Sequence, residues 1–202
     1  MRTFVAIEMP ASVRQVVADV QQRLAHSLAA ASMPNLVRWT APQHLHLTLR
    51  FLGETSDAQR LLVERELASR LPVQPACALA LHQLGVFPNW RRPNIIWVDF
   101  AGATTQLLRV QSAVERAVQA VGFAAEERPF TPHLTIGRVA RDAGPPARQQ
   151  LGERVQREQA HCAAQLAAAA AHFTAEAVAF VQSDLRPSGP IYTTLASYSL
   201  KG

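Results

Sequence analysis

Lysine is almost missing from this chain of 202 residues: Lys201 is the only one, so a net charge of +5 and a pI near 10.2 rest on arginine. Cysteine is scarce as well. Cys77 and Cys162 are the only two and form no CxxC pair, which argues against a disulfide framework and against a thiolate zinc site and fits a reducing compartment. No apolar run approaches the roughly 20 residues that cross a bilayer. The opening apolar residues are cut short by Glu8, too soon for a secretory signal, so a cytoplasmic location is expected. Charged residues make up 17% and apolar residues 49%, a globular composition. At this length the chain can bury a full core without staples, as one domain or two closely packed lobes. Arginine's planar fork matches phosphate oxygens. A GC-rich genome is an equally simple source of arginine and alanine, so charge alone points to an anionic partner and to nothing finer.

Periodicity lays out the elements. Residues 2–7 read as a strand, and residues 12–28 as a helix with Val13, Val16, Val17, Val20 and Leu24 along one stripe. Residues 36–40 form a short strand. Residues 45–52 alternate cleanly and are read as the best strand, ended by Gly53. A helix is expected over 57–71, strands over 77–86 and 94–100 around a turn at 88–93, and a second amphipathic helix over 104–121 closed by Gly122. A strand over 130–139 follows. The Ala/Gln/Arg-rich stretch of about 147–171 has little bulky apolar material and is expected to be a surface helix or partly mobile. Strands over 173–185 and 191–200 finish the chain around a turn at Pro187-Ser188-Gly189-Pro190. This order is an α+β pattern with mixed or antiparallel sheet, loosely duplicated, since a helix followed by a His-x-Thr strand occurs in each half.

Those two strings, His46-Leu47-Thr48 and His133-Leu134-Thr135, carry the chemistry. Side chains alternate along a strand, so each histidine shares a face with its own threonine while Leu45, Leu47, Leu49 and Phe51, or Leu134 and Ile136, face a core. The polar side of the first strand then includes His44, His46, Thr48 and Arg50, and must meet water or a cleft. With 7 histidines in the chain, one His-x-Thr string is expected about 0.4 times by chance, so a single copy means little and the pair carries the inference. Opening a cyclic phosphodiester with water needs one group to accept a proton from water and another to give one to the leaving oxygen. Imidazole, with an ordinary pKa near 6.5, serves either role near neutrality. A threonine hydroxyl beside each ring can hold a non-bridging phosphate oxygen.

The chain resembles the two-histidine phosphoesterase superfamily, and within it the LigT/ThpR type of RNA 2′,3′-cyclic phosphodiesterase, also called 2′-5′ RNA ligases. The resemblance runs through residues 2–7, Val37-Arg38-Trp39-Thr40, His46-Leu47-Thr48-Leu49-Arg50-Phe51-Leu52-Gly53-Glu54, Gly85-Val86-Phe87-Pro88 and residues 92–98. It continues through Pro129-Phe130-Thr131-Pro132-His133-Leu134-Thr135-Ile136-Gly137-Arg138 and Gly189-Pro190-Ile191-Tyr192. It implies one bilobal domain over 1–202, with two pseudo-symmetric lobes of mixed or antiparallel sheet, outer helices and a central cleft. It implies hydrolysis of RNA 2′,3′-cyclic phosphate ends to 2′-phosphates without metal or cofactor, with reversible 2′-5′ ligation at the same site as the alternative. The implied partners are RNA ends or nucleotides bearing that phosphate, tRNA fragments included, met by a monomer with no membrane association. His133 is implied as the base, His46 as the acid, and Thr48, Thr135 and Arg138 as phosphate ligands. Strict alternation puts Arg138 on the face opposite His133, so the resemblance requires the strand to end at Gly137 or a bulge to turn it.

Other signals are weaker. His44-x-His46 also reads as a metal pair, but no carboxylate or cysteine nearby completes a shell. Trp39, Phe51 and Trp90 are candidates for stacking a nucleobase, though large aromatics more often serve a core. Arg91 and Arg92 sit in an expected loop, where an RNA backbone and bulk solvent are both available partners. An RNA-end or nucleotide-binding module that does no chemistry remains open as the alternative class.

Overall fold

Val13, Val16, Val17, Val20, Leu24 and Leu28 recur every three or four residues and are buried along one side of α1 (Ala11–Ala30). The same spacing builds α3 (Thr104–Gln119) on Leu107, Val110, Val114 and Val118, and Gly122 follows it at φ +92°, a conformation that suits glycine. α2 (Asp57–Arg70) starts on a reciprocal capping box between Ser56 and Gln59. The structure is a computed structural model that describes residues 1–187 and 189–202. The turn expected at 187–190 includes Ser188, which lies outside the described residues. The Ala/Gln/Arg-rich stretch contains a helix, α4 (Pro145–Leu166), followed by a 3₁₀ turn at Ala169–Ala171. α4 fits closely under the turn at residues 88–93: a Cβ on Gly152 would stand 1.8 Å from the carbonyl oxygen of Trp90. Cys162 on this helix is fully buried, and burial pushes its thiol up to about 11.

The strands are β1 (Arg2–Glu8), β2 (Val37–Trp39), β3 (His46–Glu54), β4 (Cys77–Phe87), β5 (Ile95–Gly102), β6 (His133–Val139), β7 (His172–Ala175), β8 (Ala177–Arg186) and β9 (Gly189–Ser199). They form one continuous sheet in the order β7-β4-β5-β6-β3-β1-β8-β9, with β2 also paired to β6, and every pairing between these strands is antiparallel. The strand expected over 173–185 is therefore two strands. Only Glu176 separates β7 from β8, yet they lie in opposite halves of the sheet. Together with the bridge from Pro75 to Lys201, that crossing means the sheet is curled. β3 also runs past Gly53, which takes φ +71° within the strand rather than ending it. β6 begins only at His133, so residues 130–132 form its approach.

Registers expose an approximate two-fold relation. On one side β1 pairs with β3 as Glu8–His46 and Ala6–Thr48; on the other, β5 pairs with β6 as Asp99–His133 and Trp97–Thr135. The two motif strands are thus neighbours in the middle of one sheet, bridged at Leu47 and Leu134. Both leucines are fully buried in the helix-covered core, each burial worth roughly 1.5–3 kcal/mol.

Candidate active site

Directly paired residues of an antiparallel ladder point to the same side. Since Leu47 and Leu134 are paired and face the core, His46, Thr48, His133 and Thr135 share the opposite face. All four are half-buried, as residues lining a groove are. Antiparallel continuation from the bridge sets His46 alongside Thr135 and Thr48 alongside His133, so the histidines sit on a diagonal. Neither threonine hydroxyl is engaged by another described residue.

Both rings are fixed in the same way. His46 Nδ1 lies 2.7 Å from the carbonyl oxygen of His44, and His133 Nδ1 lies 2.7 Å from that of Thr131, in each case two residues upstream. A carbonyl can only accept, so each Nδ1 carries the proton that it donates, and each Nε2 is left for chemistry. The pKa of His46 lies below the ordinary 6.5, chiefly because burial disfavours its charged form; His44 and Arg138 add repulsion, while Glu8 and the His44 hydrogen bond act the other way.

Aromatic rings wall each histidine. Phe4 stacks on His46 at 4.8 Å between centroids, and Tyr192 meets His46 edge-on at 5.3 Å and His44 at 5.0 Å. Phe87 stands edge-on to His133 at 5.1 Å, with Trp97 at 6.3 Å. Trp97 lies over Gly85, where a Cβ would come within 2.2 Å of the indole. Phe4, Phe87, Trp97 and Tyr192 belong to stretches that resemble the family, but sequence reasoning gave them no place in the site. The signal was available in the alternation of β1 and β5, provided their register against β3 and β6 was known.

Two bulges decide what else reaches this face. Between β5 and β6 the register passes from Trp97–Thr135 to Ile96–Gly137, leaving Ile136 unpaired. Ile136 and Gly137 are consequently both buried, and Arg138 turns out to the histidine face, where its charge acts on His46 and Tyr192. Between β1 and β3 the register passes from Ala6–Thr48 to Val5–Arg50, leaving Leu49 unpaired. Here the expected faces are corrected. Arg50 goes to the helix side, bonded to Glu126 at 2.8 Å and to the carbonyl of Ala124, with Glu115 at 3.1 Å. Phe51 goes to the histidine side, 63% exposed and 5.8 Å from Phe4. Both bulges fall three residues after the histidine, and Phe51 and Arg138 are equivalent positions five residues after it.

Gln21, buried on α1, donates through Nε2 to the carbonyls of Thr40 and Ile136, each at 2.8 Å. The Ile136 carbonyl also accepts from the Thr40 N–H at 2.9 Å, so the unpaired residue of the β6 bulge is held from two sides. Of the other candidates, Trp39 and Trp90 are packed against the core. Arg91 and Arg92 are exposed, their backbone N–H groups bonded to the side chain of Asn89. His44 ends a 3₁₀ turn (Pro42–His44) rather than continuing the strand. Among the described residues, no three His, Cys, Asp or Glu side chains gather as a metal cage.

A family model described as the 2′-5′ RNA ligase superfamily matches residues 10–187. A protein of Escherichia coli named RNA 2′,3′-cyclic phosphodiesterase is 32% identical over 142 residues, covering 70% of this chain and 74% of that protein. One of the same name from Methanothermobacter thermautotrophicus is 27% identical over 200 residues, 99% of each chain. Among solved structures, a Thermus thermophilus protein superposes with a TM-score of 0.74 at 24% identity over 100% of this chain and 99% of its own. Apo LigT of E. coli follows with a TM-score of 0.71 at 23% identity over 100% and 98%. At those identities the structures speak for the fold. The extent of the family match and the identity to the E. coli relative place this chain in the 2′-5′ RNA ligase superfamily.

Proposed function

We propose that the chain hydrolyses RNA 2′,3′-cyclic phosphate ends to 2′-phosphates, using His46 and His133 and no metal. The observation that carries this reading is the antiparallel junction at Leu47 and Leu134, which sets two His-x-Thr pairs on one face with both Nδ1 atoms committed to carbonyls. The phosphate lies between the two Nε2 atoms. His133 Nε2 takes a proton from water as the water oxygen bonds to phosphorus. The P–O3′ bond breaks on the far side, and His46 Nε2 gives its proton to O3′, leaving a 2′-phosphate and a 3′-hydroxyl. Thr48, Thr135 and Arg138 hold the non-bridging oxygens as charge builds on them. Burial and Arg138 disfavour protonated His46 in the free enzyme, and the anionic phosphate offsets both effects by neutralising Arg138 and attracting the imidazolium.

The test supplies RNA ending in a 2′,3′-cyclic phosphate, with chelator present, and identifies the phosphomonoester. A 2′-phosphate product lost on His46→Ala and on His133→Ala is expected. Turnover that survives both substitutions, or that requires added metal, refutes the reading. Binding without product would mark a non-catalytic RNA-end module. The name of the matched family favours one second reading, 2′-5′ ligation. The same site performs that reaction when a 5′-hydroxyl replaces water as the group that bonds to phosphorus while P–O3′ breaks as before, and concentrated paired ends test for it.

A further inference from the structure

β2 takes the place beside β6 that β3 leaves after its single bridge, and pairs as Val37–Val139, Arg38–Arg138 and Trp39–Gly137. Val37 is buried and Trp39 packs on the core, and both close on Gly137, where a Cβ would lie 2.7 Å from Val37 and 3.1 Å from Trp39. Arg38 therefore stands on the opposite face, directly across from Arg138, and is exposed. Like charges directly opposite on neighbouring strands repel. Neither guanidinium has a carboxylate partner among the described residues. A short strand anchored by its other face thus holds two unneutralised forks side by side, an arrangement that an anion stabilises. The two arginines are not equivalent toward the chemistry. Arg138 lies on β6, the strand that carries His133, and its charge acts on His46, whereas Arg38 lies on β2, which carries neither histidine.

We propose that Arg38 binds the phosphodiester preceding the terminal nucleotide, so that the site prefers a polynucleotide end over a mononucleotide 2′,3′-cyclic phosphate. This rests on the cyclic-phosphate reading of the same face. Arg138 serves the reacting phosphate and Arg38 the next one along the strand, which adds affinity to any substrate with at least one internal phosphodiester.

The experiment compares wild type, Arg38→Ala and Arg38→Lys on a nucleoside 2′,3′-cyclic phosphate and on a hexanucleotide ending in the same group. Affinity is measured in parallel for a hexanucleotide ending in a 2′-phosphate and for a nucleoside 2′-monophosphate, across a salt series. For Arg38→Ala, kcat/KM and affinity toward the hexanucleotides should fall about 5–20-fold, the range for one charge-assisted contact at an exposed position. The log–log salt slope of binding should lose ~0.7, one phosphate of single-stranded RNA. The mononucleotides should be handled as by wild type, and Arg38→Lys should retain part of the advantage. Equal losses on both lengths overturn the proposal by assigning Arg38 to the reacting phosphate. No loss on either overturns it as well. Absence of turnover by wild type, with the length-dependent affinity difference intact, rejects the hydrolase reading and supports Arg38 as a backbone contact.

Discussion

Substituting leucine for Gln21 tests whether Arg138 reaches the histidines because the β6 bulge is held in place. Leucine approximates the volume of glutamine and removes both Nε2 donations, to Thr40 and to Ile136, each at 2.8 Å. The Ile136 carbonyl keeps the Thr40 N–H, and the Thr40 carbonyl loses its side-chain donor. Two lost hydrogen bonds at about 1 kcal/mol each, plus a share of the penalty for a stranded acceptor, give about 2–4 kcal/mol of destabilisation. For a domain of this size that lowers Tm by roughly 4–16 °C. The effect on activity is specific. A loosened bulge swings Arg138 off the histidine face, so kcat/KM on a cyclic phosphate should fall in the wild-type background. It should change little in an Arg138→Ala background, where there is nothing left to misplace. Thermal denaturation and a double-mutant cycle in kcat/KM measure both parts. A Gln21→Leu protein as stable as wild type, or one whose activity loss simply adds to that of Arg138→Ala, refutes the argument that Gln21 positions Arg138 through Ile136.

Four further outcomes are expected. Gly85→Ala drives a methyl to within 2.2 Å of the Trp97 indole, which Phe87 and His133 confine. It should cost about 1–3 kcal/mol in denaturant unfolding and lower kcat, with Trp97→Phe restoring part of the stability. Arg50→Ala strips Glu115 and Glu126 of their shared partner and should destabilise by about 2–4 kcal/mol while leaving KM for the cyclic phosphate unchanged; a rise in KM would return Arg50 to the cleft. Because the folded pKa of His46 lies below 6.5, the unfolded chain binds more protons just below that pH, so stability falls as pH drops through 6.5 toward the folded value. His46→Gln should flatten that part of a Tm–pH curve, and an unchanged slope would contradict the burial argument. If His46 is the acid, the alkaline limb of the kcat/KM profile reports its lowered free-enzyme pKa, whereas the limb of kcat, measured with phosphate bound, should lie at higher pH.

Sequence periodicity located the helices within a few residues, because their buried stripes are regular: Val13, Val16, Val17 and Val20 cannot face a core on any other element. It also paired each histidine with its threonine. It failed where the strands break their own period. Leu49 and Ile136 look like ordinary members of alternating runs, and only pairing against β1 and β5 shows that each is unpaired and reverses the side chains that follow it, as far as a second shift at Leu52 in β3. That slip exchanged the assignments of Arg50 and Phe51. In the second motif the resemblance placed Arg138 with the phosphate against the strict alternation, and a bulge is the backbone feature that reconciles the two. The break at Glu176 was hidden for a related reason: β7 and β8 both read as extended chain, and their membership of opposite halves of the sheet is a tertiary fact without a local signature.

The two-fold relation makes the differences between the halves informative. Equivalent positions hold similar groups near each histidine: Glu8 and Asp99 across from the rings, and the carbonyls of His44 and Thr131 on the Nδ1 atoms. Such a pair of sites, left equal, would give two imidazoles of the same character, and a reaction that needs one proton donor and one acceptor gains from unequal ones. Burial lowers the pKa of His46 most, and the fifth residue after each histidine adds a second inequality. The first motif places Phe51 there, an apolar ring beside Phe4, and the second places Arg138, a fixed cation whose field reaches across to His46. One position, equivalent in the two motifs and filled differently, therefore adds to the burial that lowers the pKa of His46, and in the proposed mechanism a phosphate that neutralises Arg138 relieves this part of the shift. In that mechanism the bound anion favours the protonated His46 that its own leaving group needs.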